Sequence, residues 1–210
     1  MDIKKVLEEL CGCTAPSGFE GPAAQAASKL LEPLVDEVSI DRMGSVIGVR
    51  RCGRPGAKKL LLDAHLDEIG LLVTGVEDGF LRFRSIGGVD PRMLPGREVW
   101  VLTQLPLPGV VACQPPHLHD GDAENKSIPI ADLRIDVGLS QEQAEARIPV
   151  GTPVVYRGSC FALGKDQMCG KAMDDRSCFA VLMRAMELLA DKELDVDVYV
   201  MGSTREEVSG

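Results

Sequence analysis

No apolar run in this sequence is long enough to span a bilayer. The opening stretch MDIKKVLEELCGC is amphipathic and lacks the apolar core of a signal peptide. Positive charge is in deficit: 23 Lys and Arg stand against 32 Asp and Glu, a net charge of −9. That balance argues against nucleic acid or an anionic membrane as the main partner. Paired C-x-x-C spacing is absent too. The seven cysteines, Cys11, Cys13, Cys52, Cys113, Cys160, Cys169 and Cys178, are odd in number. They read neither as a disulfide framework nor as a zinc ribbon, but as free thiols in a reducing compartment. There is no internal repeat and no low-complexity tract. These absences together predict a soluble, cytoplasmic protein. The excess acid suits solubility, and cation binding where acids cluster.

The 210 residues, 45% of them hydrophobic, suffice for one large domain or two small ones. Ile3 to Leu10 carry apolar residues at helical spacing. TAPSGFEG is a string of turn formers, and Pro22 stands where helices often begin. Ala23 to Val38 read as a second amphipathic helix, followed by two strands, SVIGVR and KKLLLDAH. The continuous run Leu60 to Leu62 predicts a strand covered on both faces. After His65 short strand-like pieces alternate with glycine and proline: IGLLVTGV, GFLRFRSI, REVWVL, GVVACQ, LRIDVG, TPVVYRG and CFALG. Such spacing points to a small β-barrel or sandwich. Only SQEQAEAR interrupts with a helical pattern, Ser140 serving as N-cap. Beyond Gly170 come a helix, DDRSCFAVLMRAMELLA, and a strand, DVDVYVMG. The expected architecture is α/β, with residues 1–66 and 165–210 forming one domain and a β-barrel insert over 67–164.

Three polar clusters adjoin these elements. In DAHLDEIG, Asp63, His65, Asp67 and Glu68 follow the apolar strand. One ring nitrogen of a histidine can hold a metal while a carboxylate fixes the other N–H, although a lone His-x-Asp is more often a surface hydrogen-bonded pair. In GKAMDDRSC, Asp174 and Asp175 stand at the start of a helix. There an acid commonly caps amides and opposes the dipole; the functional alternative is a carboxylate bridging two cations with its neighbour in support. In STREEV, Glu206 and Glu207 follow a strand. They are either a solvated turn or a metal ligand beside a general base. Each cluster alone favours the plainer reading. All three fall at junctions of the α/β segments, where open sheets place their sites, and together they point to a two-metal hydrolase.

The stretches APSGFEG, DAHLDEIGLLV, GFLRFRSIGGVDPRMLPGREV, GVVACQPPHL, IDVG, GKAMDDR and STREEVSG occur in this order along nearly the whole chain. In them the sequence resembles the tetrahedral (TET) or glutamyl aminopeptidases, the "cellulase M" group of co-catalytic metallopeptidases. The resemblance implies a three-layer α/β catalytic domain, incomplete at its C-terminal side, interrupted by a small β-barrel that drives homo-oligomerisation. It implies removal of N-terminal residues from peptide substrates by a water activated between two divalent metal ions, zinc or cobalt. By this resemblance His65 is a metal ligand and Asp67 the acid that orients it. Asp174 bridges the metals, and Asp175 follows in support, in the family often through a cis peptide bond. Glu206 is the general base and Glu207 a terminal metal ligand.

The family pattern also calls for one further aspartate and one further histidine beyond Gly210. Each metal position is therefore expected to be one protein ligand short within these residues, which correspond to the N-terminal portion. His117 and His119 have a metal-like H-x-H spacing, but a polar loop of the insert is the commoner explanation. Two alternatives stay open: a catalytically silent oligomerising or binding protein, and a related metal-dependent N-acyl amino acid hydrolase. A glycosidase has little support, since the acids group with a histidine and not as a carboxylate pair across a sugar-sized cleft.

Overall fold

A computed structural model describes residues 1–115 and 127–208. It separates into two compact units, 1–68 with 158–210, and 69–157. Residues 67, 68 and 158–164, which the sequence reading places in the insert, cluster with the first unit.

The chain opens with helix α1 (Ile3–Gly12), capped by the Asp2 carboxylate, which accepts from the amides of Lys4 and Lys5. Helix α2 (Gly21–Leu31) begins with Pro22 in its first turn. The expected helix over Ala23 to Val38 stops early. Pro33 cannot donate to the helix ladder and sits in a short 3-10 turn, and Val38 already belongs to strand β1 (Glu37–Ile40), paired with Gly48. Strands β2 (Val46–Arg50) and β3 (Lys58–His65) follow as read from the sequence.

The second unit supplies β4 (Gly70–Glu77), β5 (Phe80–Ile86), β6 (Glu98–Val101), β7 (Leu107–Ala112), β8 (Arg134–Asp136), α3 (Gln141–Arg147) and β9 (Pro153–Tyr156). The strands close into a barrel in the order β4-β5-β8-β7-β6-β9. Alternation sorts the side chains: Leu81 and Phe83 point into the barrel core, while Phe80, Arg82 and Arg84 are exposed. Ser140 and Gln143 form a reciprocal capping box at the start of α3.

Back in the first unit, β10 (Phe161–Leu163) and β11 (Gln167–Cys169) form a hairpin. They precede α4 (Met173–Leu188) and β12 (Val196–Ser203). The sheet order is β1-β2-β12-β3, with β12 parallel to β3 and antiparallel to β2. Leu10, Ala27, Leu31, Leu66, Phe179, Met183 and Val200 share one core, which joins α1, α2 and α4 to the sheet. The expectation that Leu60 and Leu61 are covered on both faces does not hold: they are 47% and 55% exposed. Among the described residues β3 is an edge strand, paired with β12 alone. No described helix is long and apolar enough to cross a membrane.

Gly202 carries the end of β12 past the core. A Cβ there would lie 2.6 Å from Leu66 Cδ1 and 3.0 Å from a Phe179 ring carbon, both side chains fully buried. Gly202→Ala is expected to destabilise the first unit by about 1–3 kcal/mol through overpacking. Its urea midpoint should fall accordingly, and an unchanged midpoint would show that the core yields without cost.

Candidate functional site

The parallel register puts Ser203 of β12 beside His65 of β3, and the Leu66 amide donates to the Ser203 carbonyl at 2.8 Å. The C-terminal ends of two neighbouring parallel strands thus open side by side, the usual place for a site in an open α/β sheet. One end delivers His65 and Asp67, the other the turn holding Glu206 and Glu207. The start of α4 brings a third element. Its second and third residues, Asp174 (φ −83°, ψ 108°) and Asp175 (φ −121°, ψ 24°), are not helical, and the peptide bond between them is cis, as the resemblance leads one to expect.

His65 is buried and held by both ring nitrogens. Nδ1 lies 3.2 Å from the Asp67 carbonyl oxygen and 3.4 Å from Asp67 Oδ1. Nε2 lies 3.2 Å from Asp174 Oδ1 and 3.9 Å from Glu206 Oε2. Ligand atoms of His65, Glu206 and Glu207 all fall within 4.8 Å of one another. Asp174 joins this cluster at His65 Nε2, with its side chain 91% exposed. Asp175 lies instead against the Cys178 thiol of its own helix and holds that thiol's pKa up. Asp63 is exposed on β3. His117 and His119 lie outside the described residues.

Asp67 is fully buried, and its oxygens are spoken for. Oδ1 accepts from the Glu206 amide at 3.2 Å and Oδ2 from the Glu207 amide at 3.1 Å. Burial alone would raise its pKa, but the His65 ring and these amides outweigh it and hold the carboxyl below its usual range. The hydrogen bond to Asp67 is the largest influence on His65. Against the opposing effect of burial, and with Asp174 and Glu206 adding to it, the pKa is lifted to about 9. With Nδ1 committed to Asp67 and Nε2 turned to carboxylates, the donor set of one imidazole nitrogen and several carboxylate oxygens fits a divalent cation.

A buried ionic network braces the cluster from below. Lys171 Nζ donates to both Glu68 oxygens, at 2.7 and 2.8 Å, and to the Cys13 carbonyl at 2.6 Å. Arg176, fully buried, donates to the carbonyls of Leu66, Leu10 and Cys13, with Nη2 3.5 Å from Glu68 Oε1. Lys171 and Arg176 flank Asp174, and Glu68 adjoins Asp67, so the network ties α4 to the end of β3. The sequence places Glu68 among the acids after β3 without giving it a partner; that its partners are Lys171 and Arg176 is visible only in the fold. Beside it Cys11 packs against Ala172 and Met173, and burial, with the Cys160 thiol adding to it, pushes its pKa up from 9.0 to about 11.

A family model described as M42 glutamyl aminopeptidase matches residues 44–210, most of the chain. The chain belongs to this family. It is similar to the lysyl aminopeptidase of Pyrococcus furiosus, 32% identical over 212 residues, a match covering 98% of this chain and 59% of that protein. Among solved structures it resembles an aminopeptidase from the archaeon Desulfurococcus kamchatkensis, with 36% identity and a TM-score of 0.88 over 99% of this chain and 57% of that one. It also resembles the Pyrococcus horikoshii TET1 peptidase, described as assembling into a tetrahedron or a large octahedral shell. That likeness has 31% identity and a TM-score of 0.85, over 99% of this chain and 62% of that one. The α/β fold with a closed barrel is therefore that of the TET aminopeptidases. The chain spans 56–59% of the length of the first curated M42 relatives it matches.

Two outcomes test the bracing. Glu68→Ala leaves Lys171 and Arg176 buried without their carboxylate and is expected to cost about 3–5 kcal/mol in urea unfolding; a loss below about 1 kcal/mol, the range of an exposed pair, would contradict the network. For Cys11 the folded pKa lies above the unfolded one. Its stability contribution is thus complete below pH 9.0 and lost as pH rises toward about 11. Cys11→Ala should flatten the alkaline fall in stability, and identical slopes for the two proteins would contradict the burial account.

Proposed function

We propose that this chain contributes a divalent-metal site to an aminopeptidase that removes N-terminal residues from peptides. The observation that carries the reading is the convergence of His65, Glu206 and Glu207 within 4.8 Å, with Asp174 against His65 Nε2. Membership of the M42 family supports the reaction class. In this reading His65, Asp174 and Glu207 are the residues that would hold divalent ions. Mixed nitrogen and oxygen donors suit zinc or cobalt. A cation bound there lowers the pKa of water and polarises a peptide carbonyl.

The side chains do the rest. Glu206, 63% exposed at its side chain, takes a proton from the attacking water in this reading and returns it to the leaving amine. Asp67 keeps the His65 Nδ1–H engaged, which leaves Nε2 as the nitrogen that would meet a cation, and its two oxygens hold the backbone of Glu206 and Glu207 in place.

In the same reading the barrel unit mediates self-association into a homo-oligomer. Support comes from Leu105, Val150 and Met93, which lie in that unit and are 80%, 70% and 62% exposed, and from the assemblies of the Pyrococcus horikoshii relative. The seven free cysteines accord with a reducing, cytoplasmic setting.

The test separates ligand from base. In zinc titrations His65→Ala and Glu207→Ala should weaken binding by at least about tenfold, while Glu206→Gln stays close to the parent. Hydrolysis of an aminoacyl-p-nitroanilide by the zinc-loaded protein should fall about 10²- to 10⁴-fold in Glu206→Gln. Parent-level hydrolysis in Glu206→Gln would remove the general base from the reading.

A further inference from the structure

Three consecutive backbone amides, those of Arg205, Glu206 and Glu207, each donate to a buried carboxylate. Asp67 takes the last two. The first goes to Glu20, whose Oε1 accepts from the Arg205 amide at 3.1 Å and from the Gly18 amide at 2.7 Å. Glu20 is 5% exposed and stands 185 residues away in sequence from the amide it holds.

The path of residues 15–20 shows how it gets there. This loop lies along the end of β3: the Glu68 amide donates to the Ala15 carbonyl at 3.1 Å and the Ser17 amide to the Glu68 carbonyl at 3.1 Å. A turn closes with the Phe19 amide on the Pro16 carbonyl at 2.8 Å. Gly18 adopts φ +89°, a conformation that only glycine takes without strain, and so aims its own amide at Glu20 Oε1. The segment TAPSGFEG is therefore more than a connection between α1 and α2. It lays a carboxylate beneath the turn that follows β12.

That turn needs an anchor. Arg205 sits at φ +64°, a left-handed conformation uncommon outside glycine. Just before it, Thr204 Oγ1 donates to the Met43 carbonyl at 3.2 Å, so the turn is tied on both sides. We infer that Glu20 is a positioning residue for the candidate metal site: by fixing the Arg205 amide it sets the turn that presents Glu206 and Glu207 to His65. The inference rests on the proposed metal site but makes a separate claim about the backbone beneath it. Glu20 acts as a hydrogen-bond acceptor of a given length, and its charge is secondary. Gln has the same length and a carbonyl oxygen that can accept both amides, whereas Asp keeps the charge but withdraws the oxygen by a methylene.

The experiment compares Glu20→Gln, Glu20→Asp and Glu20→Ala in two readouts. The first is Co²⁺ titration, followed by the visible absorption of the bound ion. Glu20→Gln should bind within about threefold of the parent, and Glu20→Asp and Glu20→Ala at least about tenfold more weakly, with an altered spectrum. The second is hydrogen exchange at the amides of residues 205–207 in the metal-free protein. It should accelerate at least about tenfold in Glu20→Asp and Glu20→Ala but not in Glu20→Gln. Glu20→Asp matching the parent while Glu20→Gln fails would show that charge is the operative property and overturn the inference. So would parent-like Co²⁺ binding and exchange in all three variants. A parent protein that binds no Co²⁺ would count against the metal reading alone; exchange at residues 205–207 would then still decide the positioning claim, and it also decides it if Glu20→Ala fails to fold, through the Asp and Gln variants.

Discussion

The candidate site depends on one buried carboxylate. Asp67 has no exposure to solvent, and an ionised group in that position is tolerated only with hydrogen-bond donors around it. It finds them in the His65 ring and in the amides of Glu206 and Glu207. Those donors come from two different strand ends, so satisfying Asp67 and assembling the cluster are the same event. The parallel pairing of β3 with β12 supplies the register, and the missing side chain of Gly202 lets the core close beneath it.

The opposite wall follows a similar logic. Arg176 has no exposure and spends its Nε and Nη1 donors on carbonyls of Leu66, Leu10 and Cys13, while Lys171 closes on Glu68. The beginning of α4 is thereby fixed to the end of β3 on both sides of Asp174. Asp174 itself stays open to solvent and touches the cluster at His65 Nε2. Rigid backbone beneath exposed acids is the arrangement expected where side chains must meet a cation without rearranging.

Much of this was legible in the sequence. Short strand-like pieces punctuated by glycine and proline marked the barrel strands, helical spacing marked α1 and α4, and Ser140 was readable as a cap. His65, Asp174, Glu206 and Glu207 stood out because acids were doubled, or set beside a histidine, at element boundaries, and family motifs ordered them. Where the reading erred, local pattern and tertiary context disagreed. The apolar spacing of α2 runs on past Pro33 into what is really β1. Leu60 and Leu61 look like a covered strand but lie on an edge strand within the described residues. Glu20 was not legible as part of a site. It sits in a string of turn formers, and nothing in spacing links it to Arg205; only the fold of the loop along β3 brings them together. Lys171 and Glu68 were visible as residues but not as partners, because the contact spans 103 positions.

The central claim is that His65, with Asp174 and Glu207, holds the metal. X-ray absorption at the zinc edge of the zinc-loaded protein tests it most directly. The account predicts a first shell of nitrogen and oxygen only, at about 2.0–2.2 Å, with the outer-shell signature of a single imidazole that disappears in His65→Ala. A sulfur shell near about 2.3 Å, drawn from the free cysteines, or an imidazole signature that survives His65→Ala, would contradict it.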